Sequence, residues 1–213
     1  MPTKKTGIRA QQADETRARI LAAATEVFAE DGFSGGRIEK ISRRAQSNDR
    51  MIYYYFGSKE QLFIQVLEQV YAAFNAAESA QRFDLAKPLE ALDQLVAFIW
   101  GYYSQHPEFV SLLGTENLHQ GCHARQIENM RHLSGEALGN LAPIVAAGQA
   151  CGAFRQEVNL THTYLLIASL CYFYHSNLHT LTAFLGQDLN APHARGGWLA
   201  YIQDQIRRGL RAG

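Results

Sequence analysis

The chain reads as all-α, with three short N-terminal helices joined by a long fourth helix to a larger helical unit. Three observations predict this. Apolar residues recur at helical spacing through most of the 213 residues, and no stretch alternates apolar and polar residues for long. Breakers such as Gly32, Gly57, Pro88, Pro107 and Gly152 stand between the helical runs. An apolar content of 47% with five prolines supplies a core and argues against disorder.

The elements follow in order. Ile20, Ala24, Val27 and Phe28 share one face of a first helix, with Asp14 and Glu15 at its start, where the helix dipole favours anions. Gly32 ends it in the left-handed conformation and Phe33 folds back. Ile38, Ile41 and Ala45 mark a short second helix, and Asp49–Phe56 a short third one stopped by Gly57. Ser58-Lys59-Glu60-Gln61 reads as a capping box opening the long helix, which continues with Leu62, Phe63, Val66, Leu67, Val70 and Phe74. Beyond it, helices are expected from Pro88 to about Ser104, from Pro107 to near Gly121, and from about Ala124 to Cys151. Two more span roughly Leu160–Leu185 and Ala194–Gly209. No internal repeat is visible. The domain boundary falls inside the long helix, giving a basic tail over 1–13, a first domain over 14–60 and a second over 61–213.

Charge is zero overall but uneven. Residues 1–60 carry eleven Lys and Arg against eight Asp and Glu, so a net +3 there faces −3 elsewhere. The three cysteines, Cys122, Cys151 and Cys171, are odd in number and far apart, which suits free thiols. The polar, basic opening lacks a signal peptide's apolar core, so a cytoplasmic protein is expected. Val158–Gln187 carries no Lys, Arg, Asp or Glu, but its Thr, His, Ser and Asn residues are costly in lipid. It reads as a helix buried in a core or a subunit interface, and no membrane contact is expected.

Two short helices separated by three or four residues form a helix-turn-helix, which projects its second helix into the major groove of DNA. Ile38–Ala45 supplies the supporting helix, and Asn48 is a good N-cap for the protruding one. Ile52 and Phe56 can face inward, leaving Asp49, Arg50, Tyr53 and Tyr54 outward.

Ile52-Tyr53-Tyr54-Tyr55-Phe56-Gly57-Ser58-Lys59-Glu60-Gln61-Leu62-Phe63 resembles the signature of the TetR family of bacterial regulators. Ile20-Leu21-Ala22-Ala23-Ala24 with Phe28, and Gly32-Phe33, match it too. The resemblance covers residues 14 to about 67, and the later helix count agrees with it. Fragments such as Pro107-Glu108-Phe109-Val110 and Gly152-Ala153-Phe154-Arg155 also look family-like but name no ligand. The resemblance implies a three-helix DNA-binding domain and a helical domain for ligand binding and dimerisation. It implies a double-stranded operator, a small organic effector and a second copy of the chain as partners. Repression is the family's usual habit.

By that resemblance Arg37, Tyr53, Tyr55 and Lys59 hold phosphates, while Asn48, Asp49, Arg50, Met51 and Tyr54 approach bases, and Ser47 belongs to the same DNA-binding set. The chemistry agrees: Lys and Tyr donate to phosphate oxygens, and Arg50 can pair with guanine. The plainer reading makes Tyr53 and Tyr55 partly core and Lys40, Arg43 and Arg44 a solvated face. Lys4, Lys5 and Arg9 read as a tail or an arm adding salt-sensitive affinity. Two positions depart from the family. The turn is Ala45-Gln46-Ser47-Asn48 where Ala-Gly-Val-Ser is usual, and Arg37 replaces a common Thr. If Gln46 keeps a positive φ, it costs about 1 kcal/mol.

In the second domain, aromatic side chains can line a pocket and polar ones in apolar stretches can orient a ligand. The candidates are Trp100, Tyr103, Glu116, Asn117, His119, Tyr172, His175 and Asn177. The plainer reading is an internal hydrogen-bond network or a subunit contact. His175 with His179, and Glu116, His119, Cys122 and His123, are residue types that can bind metal. No Cys-x-x-Cys pair accompanies them and Gly121 breaks the helix, so helix-end caps and interface histidines are expected, with no metal and no cofactor.

No dinucleotide glycine fingerprint, nucleophile elbow or His-Glu-x-x-His motif occurs, so an enzyme is not expected. A constitutive architectural DNA binder is the remaining alternative. The expected function is a ligand-responsive transcriptional regulator, a repressor that binds a palindromic operator as a dimer and is released by a small organic effector.

Overall fold

The computed structural model describes residues 4–128 and 138–212, with side chains from residue 11 onward. Ten α-helices run through the described residues: α1 Lys4–Gly35, α2 Ile38–Arg44, α3 Asp49–Phe56, α4 Lys59–Ser79, α5 Pro88–Gln105, α6 Pro107–Leu118, α7 Leu141–Ala150, α8 Leu160–Ser176, α9 Leu178–Leu185 and α10 Pro192–Leu210. A 3₁₀ turn spans Ala124–Gln126, and the only β pairing among these residues is one antiparallel bridge, Phe154 to Arg211. The chain forms two compact units. The first is Met1–Tyr71 with Ser111–Met130; the second is Ala72–Val110 with Arg131–Gly213.

In the first unit, the helical periodicity becomes a core. Ile20, Ala24, Val27 and Phe28 of α1, Ile41 of α2, Ile52 of α3, and Leu62, Phe63, Val66 and Leu67 of α4 are all fully buried. Each large apolar side chain so buried stabilises the fold by roughly 1.5–3 kcal/mol. Phe28 meets Phe63 edge-on at 5.1 Å. Gly32 kinks α1 at φ 70, ψ 177, a conformation an L side chain rarely adopts. Phe33 thereby turns back onto Phe63 at 5.0 Å. Ion pairs brace α2 against α1: Lys40 with Glu30 and Asp31 (3.0 and 2.7 Å), and Arg44 with Glu30 and Glu26 (2.8 and 3.4 Å).

In the second unit, α5 packs against α7, α8 and α10. Leu92, Leu95, Val96 and Ile99 of α5 bury against this surround, with Ile144 and Val145 of α7, Ile167 and Cys171 of α8, and Ile202 and Ile206 of α10. Arg207 pairs with Asp93 at 2.6 Å, tying α10 to α5. Phe74 of α4 stacks on Phe109 at 5.4 Å.

Three elements differ from expectation. Helix α1 starts at Lys4, so Asp14 and Glu15 lie in its body and no acid occupies its first turn. The good helix formers of residues 4–12 carry the helix back through that segment. The side chains of Lys4, Lys5 and Arg9 lie outside the described residues. No α-helix starts at Ala124: the 3₁₀ turn ends at Gln126 and α7 begins at Leu141, with residues 129–137 of the expected helix outside the described residues. The expected Leu160–Leu185 helix is broken at Asn177. There both the backbone N–H and the side-chain Nδ2 donate to the Phe173 carbonyl at 3.1 Å, and the side chain competes with the helical ladder. Among the described residues, no helix is long and apolar enough to cross a membrane.

Candidate nucleic-acid interface and ligand-sensing cluster

The α2–turn–α3 geometry begins at Gln46. It occupies φ 49, the left-handed conformation that glycine takes without strain. Ser47 N–H donates to the Ser42 carbonyl (2.9 Å), closing the turn. Asn48 Oδ1 then accepts from Met51 N–H (3.1 Å) and caps α3. Ile52 and Phe56 anchor the inner face of α3, which leaves Arg50, Tyr53 and Tyr54 exposed on the outer one. Tyr54 is 77% exposed, an expense in apolar surface that a partner would recover.

The remaining DNA-side candidates fall around this face. Asp49 is half-buried and accepts from Ser42 Oγ (2.5 Å), which ties the first turn of α3 to α2 rather than leaving the carboxylate free. Ser47, Met51 and Tyr55 are half-buried, and the Tyr55 ring meets Tyr54 edge-on at 5.1 Å. Lys59 Nζ donates to the Ser34 carbonyl (3.3 Å) and lies 4.9 Å from the Phe33 ring. Partial burial holds its ammonium below the usual lysine range. Arg37 and Arg43 line a hollow of about 560 Å³ together with Lys40 and Arg44. Lys40 and Arg44 are taken up by acids of α1, and Glu30 is pulled down to about 2 by its hydrogen bonds to Arg44 and Lys40. Among the described residues, Arg37 and Arg43 have no acidic partner. Arg43 is the addition here: its sequence context reads as a solvated face, and only the pairing of its neighbours separates it from them.

The ligand-side candidates divide between the two units. Trp100, Tyr103, Tyr172 and His175 come together in the second. The Trp100 ring lies 4.3 Å from His175, and Tyr103 meets Tyr172 edge-on at 6.3 Å. Tyr172 and His175 are half-buried, and burial raises the phenol's pKa and lowers the imidazole's. Asn177 caps a helix beside them, as described above. Glu116, Asn117 and His119 belong to the first unit. There Glu116 is buried and bonded to its own chain, and Asn117 donates to the Leu113 carbonyl. His119 packs edge-on against Phe33 at 5.4 Å.

Arg195 is the residue that sequence reasoning missed in the aromatic cluster. Its guanidinium lies 5.8 Å from the Trp100 ring and donates to Asn190 Oδ1 (3.2 Å) and to Ser104 Oγ. His175 Nδ1–H donates to the Cys171 carbonyl (2.9 Å), so Nε2 carries the lone pair, and Arg195 Nη2 stands 3.5 Å from it. No carboxylate among the described residues pairs with Arg195. A half-buried cation set on an aromatic wall without an acid is chemistry suited to an anionic group on a flat ligand.

Comparison with known proteins places this geometry. Residues 20–66 match the bacterial regulatory proteins of the tetR family, and residues 88–206 match the tetracyclin repressor-like C-terminal domain. The chain is 64% identical to the HTH-type transcriptional repressor NicS of Pseudomonas putida, over 99% of its own length and 100% of the relative's. It is 34% identical to the HTH-type transcriptional regulator RutR of Escherichia coli, over 54% of each chain. Among solved structures, the putative transcriptional regulator SCO4942 from Streptomyces coelicolor shares the fold at TM-score 0.70 and 22% identity, covering 92% of this chain and 98% of that one. The regulator PfmR from Thermus thermophilus does so at TM-score 0.66 and 22% identity, covering 91% and 100%. The chain belongs to the TetR family and is a ligand-responsive, DNA-binding transcriptional regulator.

Proposed function

We propose that the protein is a repressor that binds an inverted-repeat operator as a dimer and leaves it when a small effector binds. The effector is largely apolar or aromatic with one polar or acidic end. The observation that carries the reading is the exposed outer face of α3, with Arg50, Tyr53 and Tyr54 on a helix whose inner face is locked by Ile52 and Phe56. Repression is supported by the NicS relative, whose name makes it a repressor. The acidic end is supported by Arg195, which has no carboxylate beside it among the described residues and sits with Trp100 and His175. Apolar walls supply affinity and a few placed polar groups supply orientation.

Release follows from chain continuity. Helix α4 is unbroken from Lys59 to Ser79, and its residues are shared between the two units. A ligand that favours one direction of α4 changes the spacing of the two recognition helices in the dimer. Affinity for the operator then falls by the difference in ligand binding between the two states. A coupling of about 1–3 kcal/mol gives a several-fold to hundredfold effect. Linkage requires that operator DNA weaken ligand binding by the same factor. The test titrates an aromatic monocarboxylate, with benzoate as the first probe and benzamide as its neutral analogue, with and without operator. Weaker acid binding in the presence of operator is expected, and Arg195→Gln should abolish release while leaving operator binding intact. Equal acid affinity in both titrations overturns the coupling.

A further inference from the structure

We propose that Glu116, Cys122 and His123 form a binding site for a zinc-class divalent cation. The site lies in the first unit and uses none of the side chains that face DNA or that gather around Arg195; Glu116, a ligand-side candidate by sequence, is here a metal ligand instead.

The site is made by a chain reversal. Helix α6 ends at Leu118, and Gln120 and Gly121 then take consecutive left-handed conformations, φ 57 and φ 70. Glycine accepts this freely, whereas Gln120 does so at a cost of roughly 1 kcal/mol. The reversal returns Cys122 and His123 onto Glu116, six and seven residues earlier in the chain. Both Glu116 and His123 are buried, at 4% and 3% exposure. Glu116 Oε1 accepts from the backbone N–H groups of His123 and Ala124, each at 2.8 Å. Those two bonds suffice to cap the turn. They also fix the carboxylate, so that Oε2 points at His123 Nδ1, 2.7 Å away. Cys122 Sγ lies 3.4 Å from the same nitrogen, and its exposed side chain gives the site a path to solvent.

Three donor atoms therefore converge: a carboxylate oxygen, an imidazole nitrogen and a sulfur, all within 4.8 Å of one another. A tetrahedral zinc-class ion holds a nitrogen and a sulfur about 3.5 Å apart and an oxygen and a nitrogen about 3.3 Å apart. The nitrogen–sulfur spacing is already met, and the oxygen–nitrogen pair opens by about half an ångström. Phe33 and Phe63 wall the imidazole at 4.6 and 4.9 Å, the apolar surround that strengthens a metal–ligand bond. A donor set of one oxygen, one nitrogen and one sulfur is borderline in softness, which selects zinc-class ions over magnesium or calcium. Three protein ligands leave the fourth position to water. Binding releases one proton, from the Cys122 thiol. The Nδ1 proton of His123 moves to Nε2, so the imidazole stays neutral, and thiolate and carboxylate together balance the ion's two charges.

Reduced full-length protein titrated with Co²⁺ tests this. The expected result is a thiolate-to-cobalt charge-transfer band with tetrahedral ligand-field bands, saturating at one ion per chain and displaced by Zn²⁺. Cys122→Ser, at an exposed position, should keep the helical circular dichroism. It should lose the charge-transfer band and weaken Zn²⁺ binding by at least the roughly 10–100-fold typical of an outer-shell loss. The Cys151→Ser/Cys171→Ser double variant should retain the band. Absence of the band in wild type at stoichiometric Co²⁺, or its survival in Cys122→Ser, overturns the site.

Discussion

Arg50 and Lys59 separate two kinds of DNA contact. Arg50 is exposed on the outer face of α3 and can read one base, so Arg50→Ala should cost roughly 1–3 kcal/mol at a single operator position. Lys59 lies at the start of α4, held by the Ser34 carbonyl and the Phe33 ring. Lys59→Ala should weaken all sequences alike and flatten the salt dependence by about one phosphate contact. Binding titrations on operator and scrambled DNA at several salt concentrations check both. An unchanged salt slope would mean that Lys59 stays on Ser34 and never reaches a phosphate. His175 makes a second residue-scale prediction. Burial, aided by the Arg195 charge and opposed by the Cys171 hydrogen bond, lowers its pKa below the usual imidazole range. The unfolded chain therefore takes up the proton first as pH falls. The stability that His175 contributes is complete above about pH 6.5 and is lost as pH drops below it. Thermal unfolding followed from pH 8 to pH 5 should show this loss, and His175→Gln should remove its share of the slope.

At the scale of elements, the turn between α2 and α3 shows why some of the structure is legible in sequence. Asn48 and Gly57 act through partners within a few residues, and Ile52 and Phe56 declare their inward face by their i, i+4 spacing, so a short pattern fixes their roles. The same locality makes the strain at Gln46 readable. Gln46→Gly should stabilise the protein by up to about 1 kcal/mol, since glycine adopts φ 49 without the Cβ clash, offset in part by the entropy of the unfolded chain. Chemical denaturation checks it; a destabilised variant would show that the Gln46 side chain contributes contacts worth more than the strain. What was illegible depends on distant partners. Asn177 is the exception: its amide finds the Phe173 carbonyl only four residues back, but the apolar periodicity running through it hides the break. Arg195 near the start of α10 looks like any solvated arginine until Trp100 and Ser104 of α5 and His175 of α8 are brought to it. Glu116 and His123 likewise meet only because Gln120 and Gly121 reverse the chain, where Gly121 alone reads as an ending.

At the scale of the whole molecule, the uncharged stretch Val158–Gln187 poses a burial problem that one chain does not solve. Leu165, Leu166 and Phe173 of α8 and Phe184 and Leu185 of α9 are exposed at 57, 45, 54, 85 and 52%. On α8, Leu165 and Phe173 stand at i and i+8 on one face, about 12 Å apart at 1.5 Å per residue, with the small Ser169 between them. Helix α10 packs against α8 and exposes Gly196, Gly197, Ala200 and Tyr201. Small residues at that spacing let another helix approach closely, and Tyr201 gives it an apolar anchor. A self-complementary patch of this kind is what a two-fold dimer buries, and such a dimer also presents two identical recognition helices to an inverted repeat. An obligate dimer through Leu160–Leu185 and α10 is therefore expected. Sedimentation at micromolar protein should give about twice the 23.8 kDa chain mass. Phe173→Arg places a charge at the C-terminal end of that face and should yield monomers that retain their helical signal. Operator affinity should fall steeply in that variant although no DNA-facing residue has changed. A wild-type monomer at that concentration, or a Phe173→Arg dimer with undiminished operator affinity, would place the dimer contact elsewhere on the chain.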